Sequence, residues 1–299
     1  MTSTMPLYVL ADGAQFSVSI VKLVQQAPEY RNVYAGMPEE SAKNSSLFLA
    51  RIGDDQPEWM TRLDKLDQKM PCISLILSDT GIDALATHLQ QFLLADLGEG
   101  VVSLVRYFDP RNIAVFLKVF DPEIASKLVA PIYQWKYRGH SRSWNVIQGG
   151  AKYAAVLDAP ADIRLDQQQL DYLTAHCEPD NILYGMTQLG LVDLGAPYVN
   201  RFENLLRRYR RGAAWGLTDS VCRMRYCEYS YRYGFEFDQH PEVRAALEAR
   251  RQSGGSFGNH VDALKGYVWQ ELLRIRNGNA GATGKVAHDS VPRPAGGSR

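Results

Sequence analysis

Residues 72–93, CISLILSDTGIDALATHLQQFL, decide the reading of the fold. Cys72 to Leu77 is an apolar run of strand length, Ser78 to Gly81 is a turn, and Ile82, Leu85, Ala86, Leu89, Phe92 and Leu93 recur along one helical stripe. Thr80 and Asp83 have the spacing of a capping box, with Asp where Glu or Gln is usual, so free amides at the helix start account for their polarity. His88 falls between Leu85 and Leu89 and reads as a packing residue, not a base.

The same unit recurs on either side. Leu7 to Leu10 is a buried strand stopped by Asp12 and Gly13, and Phe16, Ile20, Leu23, Val24 and Ala27 then share one helical face. Ser46 to Ile52 is a second strand, followed by a short helix from Pro57 that carries Trp59, Leu63 and Leu66. Val101 to Tyr107 is a further strand; Asp109-Pro110 opens a helix with Ile113, Phe116, Leu117 and Phe120, and Asp121-Pro122 repeats the device. Strands alternating with helices predict a mostly parallel sheet flanked by helices, an α/β lobe over residues 1–150. Ile132 to Tyr137 and Trp144 to Ile147 fit edge strands or lid-like loops. From about Asp162 helical periods take over, with Val199, Phe202, Leu205 and Tyr209, then Cys222, Tyr226, Tyr229 and Tyr233, then Val261, Leu264, Val268 and Leu272. An all-helical lobe over residues 151–276 follows. Residues 277–299 turn to Gly, Ala, Ser and Pro and are expected to be disordered.

The 299 residues hold 33 Lys and Arg against 33 Asp and Glu, with 45% hydrophobic content, enough for two ordinary cores. A formal net charge of zero supplies no global field toward nucleic acid or anionic lipid, so any such attraction must be local. No apolar run approaches the roughly 18 to 20 residues that span a bilayer, and the expected location is the cytoplasm. Cys72, Cys177, Cys222 and Cys227 form no C-x-x-C pair and read as reduced packing thiols. G-x-G-x-x-G, the phosphate-loop motif and H-E-x-x-H are all missing, and the six histidines show no ligand-like spacing. No cofactor and no metal are expected.

Three sets of residues remain as candidates for function. Asp12, Asp79 and Asp109 each follow an expected strand, where ligands meet an open α/β sheet, so a metal- or phosphate-dependent enzyme is one alternative. Turn and cap roles explain the same three carboxylates. Residues 201–232 hold eight Arg against three acidic residues, including Arg207, Arg208, Arg210 and Arg211. That stripe suits a solvated face, an acidic protein surface, or nucleic-acid phosphates with Tyr stacking on bases, the last disfavoured by the neutral overall charge. Tyr133, Trp135, Tyr137 and Trp144, mixed with Lys136, Arg138, His140 and Arg142, have the composition of an interface core and rim, or else close a sheet edge.

The ordered set Tyr8-Val9-Leu10-Ala11-Asp12-Gly13, Tyr34-Ala35-Gly36, Arg106-Tyr107-Phe108-Asp109-Pro110 and Pro131-Ile132 with Trp135 resembles the type VI secretion effector adaptor, or chaperone, family. Trp215-Gly216-Leu217 and Gly234-Phe235-Glu236-Phe237-Asp238 with Pro241 extend the resemblance across roughly residues 7–250. Ala130 stands where relatives commonly carry Gly. The resemblance implies a non-enzymatic cytoplasmic adaptor that binds one toxic effector, often near its N-terminal region, and delivers it to the VgrG spike. No membrane partner is expected, and nucleic acid is disfavoured as one. The expected contact residues are Arg106, Tyr107, Trp135, Tyr137, Trp144, Arg207 and Arg211, with Asp12, Gly13, Asp109 and Pro110 as a structural motif. Arg106 has a second role open to it, pairing with Asp12 or Asp109 to fix the strand-to-helix turn.

Overall fold

The computed structural model describes residues 5–53, 57–150, 157 and 159–283. The chain divides into two compact units, Met1–Asp180 with Asp193–Glu203, and Asn181–Val192 with Asn204–Arg299.

The first unit begins with strand β1 (Leu7–Asp12), helix α1 (Ser17–Val24), β2 (Tyr30–Asn32), β3 (Leu47–Ile52), α2 (Glu58–Lys69), β4 (Ile73–Leu77) and α3 (Ile82–Gln90). It continues through β5 (Leu94–Asp96), β6 (Val102–Leu104), α4 (Ile113–Val119), α5 (Pro122–Val129), β7 (Gln134–Tyr137) and β8 (Asn145–Gln148). Helix α6 (Gln167–Gln188) follows. The 72–93 segment folds as read, strand then helix, but Gly81 takes the N-cap position and no side chain caps α3. Asp83 is exposed and pairs with Arg31 instead. Asp121 does cap α5, accepting from the Glu123 amide at 2.8 Å.

The sheet corrects the expectation of parallel strands. Its order is β2-β3-β1-β4-β7-β8, and every neighbouring pair is antiparallel. β3 and β4 do run the same way, joined by α2, but β1 lies between them and pairs with both, the split form of a β-α-β crossover. Alternation of strand and helix reports that crossover and is blind to the strand that fills its gap. The uninterrupted apolar runs have an equally plain cause: both faces of the sheet are covered. Tyr8, Leu10, Leu49, Ile76 and Trp135 face a core shared with α3, α4 and α5, while Val9, Ala11, Phe48, Ala50 and Ile73 face α1 and α2. The expected strand at 101–107 is also corrected, because only Val102–Leu104 is extended, and it forms a separate hairpin with β5.

The described part of the second unit is helical, as expected. It holds the end of α6, most of α7 (Tyr198–Ala214), α8 (Ser220–Tyr233), α9 (Pro241–Ser253) and α10 (Gly266–Thr283). Gly216, at φ 76°, ends the α7 segment, and Asp219 caps α8, accepting from the Cys222 amide at 2.8 Å. Tyr226, Phe237, Val243, Leu247, Phe257, Val261 and Val268 make its core. α10 continues into the stretch expected to be disordered, as far as Thr283; residues 284–299 lie outside the described residues. None of the four cysteines is in a disulfide, and Cys72, Cys222 and Cys227 are buried. No described helix is long and apolar enough to cross a membrane.

Candidate partner-binding site

In the first unit the motif residues are joined by charge. Asp12 ends β1 in a buried position and accepts from the Ala14 amide at 3.1 Å and Gln15 Nε2 at 3.0 Å, while the Arg106 guanidinium closes on its other side. Arg106 also lies 3.6 Å from Asp109 and 5.1 Å from the Phe108 ring centroid. Buried Asp109 is gripped in bidentate fashion by Arg111, at 2.9 and 2.6 Å, and Arg111 Nη1 reaches Asp180 at 3.4 Å. Asp180 completes the chain with His140 Nε2 at 2.8 Å and the Tyr198 hydroxyl at 2.5 Å. Burial raises the Asp180 pKa, but His140, Arg111 and Tyr198 outweigh it and hold the carboxyl below the usual range. At Asp12 burial wins over Arg106, and the pKa is raised.

Gly13 makes this junction possible. A Cβ there would stand 2.5 Å from the carbonyl oxygens of Asn44 and Ser46, so only glycine lets the chain turn this close to the start of β3. Gly139, at φ +59°, likewise brings the turn after β7 against the Pro110 carbonyl, 2.8 Å from where a Cβ would be.

Asp79 does not join this cluster. β1 and β4 are antiparallel, with Leu7 opposite Leu77, so Asp79 lies at the other end of the sheet from Asp12. The Ser78 amide donates to the Pro6 carbonyl at 3.2 Å there, whereas the Asp12 amide donates to Cys72. Three carboxylates converging at a shared ligand end required parallel strands. Among the described residues no group of three or more His, Cys, Asp or Glu is placed to hold a metal ion.

The contact residues expected from the sequence divide sharply. Tyr107 and Trp135 are core residues and are corrected as surface contacts: Tyr107 donates to the Leu89 carbonyl at 2.6 Å, Trp135 Nε1 donates to Ser74 Oγ at 2.8 Å, and their rings meet edge to face at 6.2 Å. Burial raises the Tyr107 pKa. His88 is buried as expected, its Nδ1 accepting from the Leu157 amide at 3.0 Å and its Nε2 3.1 Å from the Leu128 carbonyl; burial lowers its pKa, which favours the neutral ring. Tyr137 and Trp144 are half-buried, and Arg138 stacks 4.1 Å from the Trp144 centroid while binding Asp64 and Asp67 at 2.6 and 2.7 Å. Arg142 is exposed on the same turn, with Asn200 at 2.8 Å and Glu203 at 3.1 Å. A cavity of about 230 Å³, lined by Arg138, Arg142, Tyr198 and Asn200 among others, opens beside it. Tyr133, just before β7, and Val146 on β8 are exposed, β8 being the end strand of the sheet.

In the second unit Arg207 is exposed, while Arg211 is committed to the fold. Arg211 binds fully buried Asp238 through Nε at 2.8 Å and Nη2 at 2.6 Å, and the same carboxylate accepts from Trp215 Nε1 at 2.8 Å and the Tyr226 hydroxyl at 2.7 Å. Burial raises the Asp238 pKa, yet the Arg211, Tyr226 and Trp215 hydrogen bonds together hold it below the usual range. This hub escaped the sequence reading because Asp238 and its three partners come from separate stretches of chain, Arg211 and Trp215 at the end of α7 and Tyr226 in α8. The available signal was an Asp directly after Phe235 and Phe237. Tyr229 and Tyr233 stack on Trp269 at 4.7 and 4.8 Å, so those rings are also engaged within the unit.

Comparison with curated proteins finds no match, and comparison with solved structures finds none either. Residues 7–127, which run from the start of β1 into α5 and contain Asp12, Gly13 and the Arg106–Pro110 segment, match the model of a family described as a domain of unknown function, DUF4123.

Proposed function

We propose that the protein is a cytoplasmic adaptor that binds one toxic effector and loads it onto the VgrG spike of a type VI secretion apparatus, with no chemistry of its own. The observation that carries this reading is the family match over residues 7–127, because that family is associated with type VI effector adaptors. The geometry supports it. Asp12, Asp109, Asp180 and Asp238 are all held by guanidinium groups of this chain and serve as struts. Exposed Tyr133, Val146 and Arg142 and half-buried Trp144 leave an aromatic and cationic exterior of the sort that anchors a polypeptide.

Affinity purification of the tagged full chain from its native host tests the reading. An effector, a spike protein or both should be enriched over an untagged control. Recovery of neither by folded protein contradicts it.

A further inference from the structure

The arginines of the second unit differ in what they are bound to. Arg211 holds Asp238, Arg225 holds Glu228 and Asp262, and Arg232 holds Glu228. Arg208 stands apart. Its Nη1 donates to the Asn204 carbonyl at 3.1 Å and to Asn204 Oδ1 at 2.5 Å, and its guanidinium lies over the Tyr231 ring at 4.2 Å and 5.4 Å from the Phe235 centroid. Among the described residues Arg208 Nε and the Tyr231 hydroxyl are buried with no hydrogen-bond partner. Burial lowers the Arg208 pKa, and the groups that act on it most strongly after that are Tyr231, Cys227, Arg207 and Tyr226, with no carboxylate among them.

A half-buried cation with no counter-anion is costly, and a fold that holds one flat against two rings has oriented its remaining N–H edge. We infer that Arg208, with exposed Arg207 beside it and Phe235 as an apolar shelf, receives a carboxylate from an acidic segment of the partner polypeptide. This rests on the adaptor reading and names the chemistry of one of its contacts. Phe235 is 37% exposed and follows Gly234 at φ 107°, so an apolar side chain next to the acidic one has a surface to cover. Arg211 lies 5.0 Å from the same ring and stays bound to Asp238.

A protein ligand fits better than nucleic acid. A phosphate backbone needs a row of free cations with exposed rings for its bases. Here Arg211, Arg225 and Arg232 are neutralised by this chain's own carboxylates, Tyr226 is fully buried, and Tyr229 and Tyr233 are stacked on Trp269.

Fluorescence anisotropy with the full chain at low salt tests the inference, using a labelled short peptide of alternating Glu and Leu, a Lys-Leu counterpart and a short oligothymidylate. Saturable binding of the Glu-Leu peptide alone is expected, weakened about tenfold by Arg208→Gln and severalfold by Arg207→Gln or Phe235→Ala, in line with loss of a charge-assisted hydrogen bond or an apolar contact. Arg207 is exposed, so its variant reports on the site even if Arg208→Gln fails to fold. No saturable binding of the Glu-Leu peptide, equal affinity in the folded variants, or tighter binding of oligothymidylate overturns the inference. Native-host purification separates the two readings: an effector recovered equally by wild type and Arg207→Gln/Arg208→Gln rejects this site and keeps the adaptor. Peptide binding without any recovered partner rejects the adaptor and keeps the site.

Discussion

Arg106 closes on the buried carboxylate of Asp12 across 94 residues of chain, tying the loop after β6 to the end of β1. Replacing Arg106 by Met strands Asp12, with a cost of about 2–4 kcal/mol, kept to the lower part of the usual range for a broken buried pair because Arg106 is partly exposed. Asp12→Asn combined with Arg106→Met should recover a large share of the loss. A double-mutant cycle from urea unfolding measures this coupling; strictly additive effects would remove the strut assigned to the pair.

Asp238 sets an acid limit on the second unit. Its folded-state pKa lies below the unfolded value of about 3.9, so the stabilisation it provides is whole above that pH and is lost as pH falls through the lower folded value. Asp238→Asn should lower the melting temperature at neutral pH and close the gap with wild type in acid. Thermal unfolding followed by circular dichroism from neutral to strongly acidic pH checks this, and a gap that stays constant across the range contradicts it.

Gly13→Ala should destabilise by about 1–3 kcal/mol, the cost of overpacking, because two backbone carbonyls would have to move from a Cβ at 2.5 Å. Gly53→Ala, with nothing within 4 Å, is the matched control. Equal denaturation midpoints for the two variants would show that the turn yields more easily than its packing implies.

Burial separates structural aromatics from exposed contacts. Trp135→Ala should cost about 3–5 kcal/mol and lose partner capture through unfolding. Arg142→Ala should stay within about 0.5 kcal/mol of wild type and weaken capture with the fold intact. Melting curves run beside pull-downs distinguish the two, and full capture by folded Trp135→Ala together with undiminished capture by Arg142→Ala would reverse the assignment.

Periodicity reads local structure well, and the 72–93 segment is the clearest case, since a six-residue apolar run and a helical stripe depend only on neighbours in the chain. Strand direction was beyond it, because β1 enters between β3 and β4 from far away in sequence. That one fact also undid the convergence of Asp79 with Asp12. Aromatic content marked the segment around Trp135 without saying which side of the sheet each ring takes; the Trp135 side is filled by Tyr107 and Ile76. Asp12, Gly13, Asp109 and Pro110 were recognisable as a motif, and the structure adds the guanidinium groups that bind its two carboxylates.

Removing the gene from its native host and measuring secreted proteins addresses the adaptor reading most directly. One effector should vanish from the secreted fraction, returning with the wild-type gene, while the spike and tube proteins of the apparatus are still exported. Undiminished export of every effector by the deletion strain would contradict the account.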